Sequence, residues 1–455
     1  MFAIKIFKYK NVSLIGIFPK EYSVENMTQE FVVRRREESI RNLEGWILVY
    51  GRRKTGKTFT IRRVFNEAHY FVITRSGHTI AEAEGRVTYI SLEEAVKQIG
   101  ALLKDEKMAV LDEFQRLPYK YWDAIALCHP NGKLIASGSS LGILRKVFDR
   151  RSPLLGLFTP FRFDLIRYSD AILSIKDLCP SLREALLWGL VIRDPWIIPM
   201  VCFERDMVSE ICNKAYGLLA SASGLVGEVF EEEERALTRV YDAVLRLTGE
   251  SIWKPAEISG ILTSNNLISG GLPTVDGLLN RLAGMGLLEK VVLWKTKGAK
   301  YYFKHRSPLL SILYYLDQKL HIGEGFHKKI DPNLVMSVIG MEFQFAVGEM
   351  LAEYMGGIKG YTILPNMGGD IDIVILDPRL KRPIIGYEVK IGEYEKREAE
   401  KAVEKIHNFG IPKAGLISAS ARPPSVAGSY EELGPEELFK IAKQASPSNH
   451  QQTGH

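Results

Sequence analysis

The chain has 455 residues, 46% apolar and 25% charged, with 60 Lys and Arg against 54 Asp and Glu, a formal net charge of +6 and a pI near 8.8. This composition excludes a wholly disordered, collagen-like or disulfide-scaffold protein, and at roughly 150 residues per domain the length asks for about three domains. The charge excess permits a polyanionic partner without requiring one. Cys128, Cys179, Cys202 and Cys212 are scattered, with no CxxC and no histidine at ligand spacing. Neither a zinc site nor a disulfide framework is expected, and the compartment implied is a reducing, cytoplasmic one. The longest apolar stretch, Ala185 to Phe203, is broken by Arg193 and Asp194 and falls short of a membrane span.

Residues 1–30 carry lysines and a short apolar patch but no small-residue cleavage site, so they read as an N-terminal extension rather than a signal peptide. An edge strand with linker and an over-extended start both remain open. From Trp46 to about Phe163 the chain alternates β-rich runs with helical stretches, as parallel α/β units do. Ile47–Tyr50, Tyr70–Thr74, Met108–Leu111 and Lys133–Ser137 are nearly continuous apolar runs, the pattern of parallel strands buried on both faces. From Asp170 to Phe230 the apolar spacing turns helical, and Gly and Pro predict short separate helices, as in a lid. Residues 235–316 predict three helices and a hairpin. Arg235–Leu247 is the first helix, Pro255 opens the second, Thr274 caps the third, and Lys297-Gly298 turns the hairpin. That order describes a winged helix. Gly340–Tyr354 reads as a helix, Gly360–Ser418 as strand, strand, strand, helix, strand, and the polar tail 446–455 as disordered.

One strand leads straight into chemistry. Gly51, Arg52, Arg53, Lys54, Thr55, Gly56, Lys57 and Thr58 follow Tyr50 and match GxxxxGK[ST] at every fixed position, with a helix predicted over Phe59–Ala68. The spacing is physical. Glycines let backbone N–H groups wrap phosphates at a helix N-terminus, Lys57 neutralises the β/γ-phosphates of ATP, and the Thr58 hydroxyl reaches Mg²⁺. The second half of such a site is an acid at the end of a neighbouring strand. Asp112 is placed there as a metal ligand, with Glu113 to polarise the attacking water. Gly138-Ser139-Ser140 ends the next strand, and Ser139 stands where a γ-phosphate contact belongs, although a Gly-Ser-Ser turn alone is only a turn.

Phe31-Val-Val-Arg34 with Glu37, the phosphate loop, Leu111–Gln115, Ala136–Ser140 and Ser152–Gly156 together resemble the archaeal AAA-type ATPases, related to the signal-transducing STAND branch of P-loop proteins. The resemblance runs over about residues 31–420 and implies a P-loop core, a winged helix and a C-terminal nuclease-like domain. This chain has Leu157 where that family shows Arg after the Gly of the SPLxG segment. Any arginine finger would have to come from Arg145, Arg150, Arg151 or Arg162, which leaves a homo-oligomer open but weakens the expectation that hydrolysis depends on one.

A second constellation lies near the C-terminus. Asp370 and Asp372 share one face of a predicted strand, and Glu388 and Lys390 share one face of the next. If those faces coincide, Asp372 and Glu388 can hold Mg²⁺ while Lys390 positions the nucleophile, as metal-assisted phosphodiester cleavage needs. The D…ExK order resembles the PD-(D/E)xK nucleases. Gln344 occupies the helix position where those nucleases often carry Glu, and Glu342 or Glu349 is the expected substitute. The basic excess is concentrated in the hairpin, where Lys290, Lys295, Lys297, Lys300, Lys304 and Arg306 are interleaved with Trp294, Tyr301, Tyr302 and Phe303 and no acid. Such a hairpin beside a candidate recognition helix bearing Asn280 and Arg281 points to DNA; a soluble packing module is the alternative.

The expected architecture is therefore α/β and multidomain: a P-loop AAA-like core over 31–168, a helical lid over 169–230, a winged helix over 231–320 and a restriction-endonuclease-like domain over 321–445. Two functions lead, ahead of a third and weaker one, a pure transcription factor whose loop only senses nucleotide. One is an ATP-hydrolysing enzyme that processes DNA, with a Mg²⁺-dependent deoxyribonuclease activity. The other is a non-cleaving regulatory ATPase whose nuclease fold binds DNA or protein.

Overall fold

The computed structural model describes residues 37–83, 85–139, 141–233, 237–294, 301–325, 329–364 and 369–445. The N-terminal extension, Phe31–Arg34, Ser140, the wing residues Lys295, Lys297 and Lys300, and the tail lie outside them. Contacts divide the chain into two units, one ending at Asp164 and the other starting at Leu165.

In the first unit the apolar runs become β1 (Trp46–Tyr50), β2 (His69–Ile73), β5 (Met108–Asp112) and β6 (Lys133–Gly138). All four are parallel, and they belong to a seven-stranded sheet of order β4-β3-β2-β5-β6-β1-β7. The other three strands escape the sequence pattern for physical reasons. In β3 (His78–Ala83) and β4 (Arg86–Ser91), two antiparallel additions at one edge, the outermost strand is largely exposed, with Tyr89 standing in solvent, so no buried run marks it. At the opposite edge β7 (Phe158–Arg162) contains Pro160, which an edge strand tolerates because it needs no N–H there. Along β1 the side chains alternate between two cores. Trp46 and Leu48 pack with Phe114, Trp122, Ile143 and Val147 beneath α2 (Leu92–Lys104), α3 (Trp122–Ala126) and α4 (Leu141–Val147). Ile47 and Val49 pack with Ile61, Val64 and Phe65 beneath α1 (Lys57–Val64). Buried on both faces, the central strands leave polar groups only at their ends.

The second unit opens with α5 (Tyr168–Ile175), α6 (Leu182–Val191) and α7 (Met207–Glu233). The expectation of short helices fails at α7. Gly217, Gly224 and Gly227 stay helical inside it. Each costs about 1 kcal/mol relative to Ala, but the buried face of Leu218, Ala222, Leu225, Val226 and Phe230 outweighs that local cost. Next come α8 (Thr238–Gly249), α9 (Pro255–Ser264), α10 (Leu272–Gly284) and the antiparallel hairpin of β8 (Leu288–Val292) and β9 (Tyr301–His305). Thr274 is not a cap. Pro273 fits the first turn, so α10 starts at Leu272 with Gly271 as its N-cap.

Two helices, α11 (Pro308–Leu320) and α12 (Pro332–Met355), lead into a five-stranded sheet of order β10-β11-β12-β13-β14. Its first pairs, β10 (Ile358–Leu364) with β11 (Gly369–Leu376) and β11 with β12 (Pro383–Lys390), are antiparallel. After α13 (Lys396–Asn408), β13 (Ala414–Ser418) and β14 (Ser429–Leu433) add in parallel, and α14 (Pro435–Gln444) closes the unit. By length and composition α12 is the one described helix able to cross a membrane, yet 67% of its most apolar window is buried inside the fold. A helix apolar all round is what burial on every side demands.

Two members of the expected basic wing, Lys304 and Arg306, are corrected here; Lys290 is exposed as expected, and the other three lysines lie outside the described residues. Lys304 is 2% exposed, and its Nζ lies 2.8 Å from Glu342 and 3.3 Å from Glu289. Arg306 pairs with Glu289 and with Glu349, which also binds Arg193 at 2.7 Å. The acid missing from the window 290–306 is supplied by Glu289 just before it and by α12. Phe303 and Tyr302 are buried, and Tyr302 joins Trp253, Val291, Leu293, Phe345 and Tyr361 in one apolar cluster. Glu342 and Glu349, expected to face the second constellation, are thus engaged in this ionic cluster. Burial would raise the Glu289 carboxyl, but Lys304, Arg306 and Lys359 hold it down to about 2. A carboxyl depressed in the fold contributes stability that is full above its ordinary 4.5 and lost as pH falls towards about 2. The second unit should therefore lose stability across that window, more weakly in Glu289→Gln. Lys304→Met should cost about 3–5 kcal/mol by stranding Glu342, and most of that should return in Lys304→Met with Glu342→Leu; urea unfolding checks both.

Candidate nucleotide site and a carboxylate pair

The phosphate loop is a backbone structure first. Gly51 has φ +153°, and a Cβ there would meet the Phe163 carbonyl oxygen at 1.9 Å, so only glycine lets the loop leave β1 beside the end of β7. Gly56, at φ 92°, caps α1, which begins at Lys57 rather than at the expected Phe59. Lys57 and Thr58 therefore lie in its first turn, where unpaired N–H groups favour anions. Among the loop residues Arg52, Thr55 and Lys57 are buried, Lys54 takes a left-handed φ of 62°, and Arg53 is half-buried. Lys57 Nζ donates to the carbonyls of Gly51 and Arg52, both at 2.8 Å, which keeps the ammonium over the loop.

Parallel pairing of β1 with β6 and of β6 with β5 brings the strand ends together. Thr58 Oγ1 donates to Asp112 Oδ2 at 2.7 Å, across 54 residues of sequence. This hydroxyl–carboxylate pair offers hard oxygen donors, the chemistry Mg²⁺ takes, and the residues present fit that ion. Asp112 Oδ1 accepts from the Glu113 N–H at 2.9 Å. Glu113 itself sits at φ 59°, and its Oε2 accepts from Gln115 Nε2 at 2.7 Å and pairs with Arg116 at 3.1 Å. Gln115 Nε2 also reaches Ser139 Oγ at 2.9 Å. Gln115 and Arg116 went unassigned in the sequence; the only clue was their place directly after the two acids.

Leu157 packs against the core beneath α2, α3 and α4. Of the candidate fingers, Arg162 pairs with Asp164 at 3.6 Å. Arg145, Arg150 and Arg151 line a cavity of about 770 Å³ with Tyr50, Phe148 and Pro160.

In the second unit the two strand faces do coincide. Ile373 pairs with Tyr387, which sets Asp372 opposite Glu388, and Asp372 Oδ2 accepts from the Val389 N–H at 2.7 Å. Burial, reinforced by Asp370, pushes the Asp372 carboxyl up to about 6; burial and Asp372 push Glu388 up to about 8. Lys390 does not join them. Its Nζ binds Glu398 on α13 at 2.7 Å, while Lys405 from the same helix reaches Glu388 at 2.7 Å. Lys405 was missed because α13 reads as a solvated helix; only its spacing from Ala402 and Val403 hints at its direction. Asp370 accepts from Tyr361 Oη at 3.0 Å, and Gln344 bonds the same tyrosine. The donor set here is two adjacent carboxylates, which suit a divalent cation, but among the described residues no group of three or more His, Cys, Asp or Glu is arranged to hold a metal.

Residues 44–156 match the family model of the AAA domain. With the loop, the Thr58–Asp112 pair and the parallel sheet, this gives the first unit a P-loop, AAA-like α/β fold. Among curated proteins none matches the chain. Similar solved structures include the Walker-type ATPase PABY2304 of Pyrococcus abyssi (16% identity, 65% of this chain and 99% of that one, TM-score 0.42). Others are the ORC2 protein of Aeropyrum pernix in ADPNP–ADP complexes (14%, 71% and 97%, 0.37) and the STAND protein PH0952 of Pyrococcus horikoshii with a tetratricopeptide repeat sensor (16%, 71% and 55%, 0.28). TM-scores below 0.5 are too low to carry a conclusion about fold or function.

Gly51→Ala should lower the unfolding free energy by about 1–3 kcal/mol or more, because the methyl group meets backbone rather than a movable side chain; denaturant titration without nucleotide checks this.

Proposed function

We propose that the chain is an AAA-type ATPase that binds and hydrolyses ATP with Mg²⁺ and couples that cycle to a winged-helix module and a PD-(D/E)xK nuclease-like domain, acting on DNA. The observation that carries the ATPase half is the Thr58–Asp112 contact beside Lys57, on a loop that opens a helix. Thr58 and Asp112 would hold Mg²⁺, which neutralises charge building on the phosphates when bound. The residues of the chain do the rest. Gly51 to Gly56 present backbone N–H groups, Lys57 turns its ammonium from loop carbonyls to the β/γ-phosphates, Glu113 orients the attacking water and Ser139 contacts the γ-phosphate.

The DNA half is supported by the order helix, helix, helix, hairpin in α8 to β9, and by exposed Arg281 and Asn280 on α10. It is supported too by the opposed Asp372 and Glu388, whose raised carboxyls mark a place where an added cation would relieve repulsion. One observation favours the regulatory reading instead. Lys390 and Glu388 are each bound to another side chain, and Glu342 and Glu349 of α12 are turned into the ionic cluster. In that reading the C-terminal fold binds DNA or protein without cutting it.

Lys57→Ala should abolish ATP turnover in a phosphate-release assay; hydrolysis at the wild-type rate would sink the ATPase assignment. For the nuclease-like domain, plasmid incubated with Mg²⁺ or Mn²⁺, with and without ATP, should be cut by the wild type and spared by Asp372→Ala. Equal loss with both proteins would point to contamination and leave the regulatory reading.

A further inference from the structure

We propose that Gln115 is a positioning residue that makes Ser139 and Glu113 one unit, so that a terminal phosphate held at Ser139 sets the orientation of the Glu113 carboxylate. The proposal rests on the ATPase reading above and names a part of the site which that reading leaves out.

Both hydrogens of the Gln115 amide nitrogen are committed, one to Glu113 Oε2 at 2.7 Å and one to Ser139 Oγ at 2.9 Å. The amide cannot be turned over, because a carboxylate only accepts and a reversed amide would set oxygen against oxygen. Turned this way, Gln115 Oε1 is buried without a hydrogen-bond partner. A side chain held with one polar atom unsatisfied is held by its other end, and that end is the bridge. Gly138 keeps the space open, since a Cβ there would lie 3.0 Å from Gln115 Oε1. The direction of the second bond is set as well: Ser139 Oγ accepts from Gln115.

Glu113 is held from the other side by Arg116, whose second guanidinium nitrogen is anchored on the Ile73 carbonyl at 2.9 Å. Its backbone, at φ 59°, is in a region that costs a non-glycine residue energy, the kind of strain found where a side chain must be aimed. The carboxylate therefore rests between a fixed cation and a glutamine that touches the phosphate-facing serine. A pull on Ser139 moves the Gln115 amide, and the carboxylate follows it.

The test is steady-state ATP hydrolysis by the full chain, with binding of a fluorescent ADP analogue measured alongside. Gln115→Ala should lower kcat on the order of 10- to 100-fold, with KM and analogue affinity within about threefold of wild type, since Gln115 touches neither loop nor metal pair. Gln115→Glu keeps the shape but sets a carboxylate against Glu113, and should lower kcat at least as far. It is the deciding variant should Gln115→Ala fold poorly. Gln115→Ala combined with Ser139→Ala should lose little more than the worse single variant, because both break one bridge. A kcat within about twofold of wild type in Gln115→Glu, or fully additive losses in the double variant, would overturn the proposal while leaving the ATPase reading intact. Absence of Lys57-dependent hydrolysis in the wild type would remove the reading itself.

Discussion

Lys304 and Glu342 face each other 2.8 Å apart, at 2% and 1% side-chain exposure. An isolated charge at either position would be prohibitively costly, and each is tolerated only because the other is there. Around this pair Glu289, Arg306, Glu349, Arg193 and Lys359 extend the same solution, so that cations from three stretches of chain meet carboxylates from two. The consequence is architectural. Arg193 just beyond α6, the β8–β9 hairpin, α12 and β10 must be in place together or leave buried charges unpaired. The cluster thereby ties together stretches that read as a lid, a winged helix and a nuclease-like domain, within the compact unit that runs from Leu165 onward.

The same cluster changes the meaning of the positive charge. Counted along the sequence, Lys304 and Arg306 belong to a basic hairpin; in space they are counter-ions of Glu289, Glu342 and Glu349. Of the hairpin's aromatic side chains, Tyr302 packs in one cluster with Phe345 and Tyr361 instead of offering its face to bases. What α10 presents outward, Asn280 and Arg281, is independent of this cluster.

In the first unit the ruling constraint is two-sided burial. Strands covered on both faces can expose polar groups only at their ends, and four parallel strands bring those ends to one edge. Thr58 and Asp112 meet there by topology, not by nearness in sequence. The chemistry this allows was legible early, because a loop that wraps phosphates needs glycines and a lysine at fixed spacing. The bridge through Gln115 was not, since its geometry depends on how β5 and β6 lie side by side.

The local grammar was enough for the central strands, the loop with its Lys57 and Thr58, Asp112 at a strand end, and the helices from α8 to α10. Each of these follows from short-range periodicity or from a ligand whose shape sets residue spacing. It failed where long-range packing overrode local preference: glycines held inside α7, a proline edge strand in β7, exposed β4, and Thr274 inside its helix. Alternation alone set Asp372 and Glu388 each on one face of its strand, and the β11–β12 register made those faces coincide. That Lys405 rather than Lys390 would reach Glu388, and that Glu342 and Glu349 would turn to Lys304, Arg193 and Arg306, was decided by tertiary structure. A long charged side chain pairs with whichever opposite charge shares its burial, and sequence does not record which ones will be buried together.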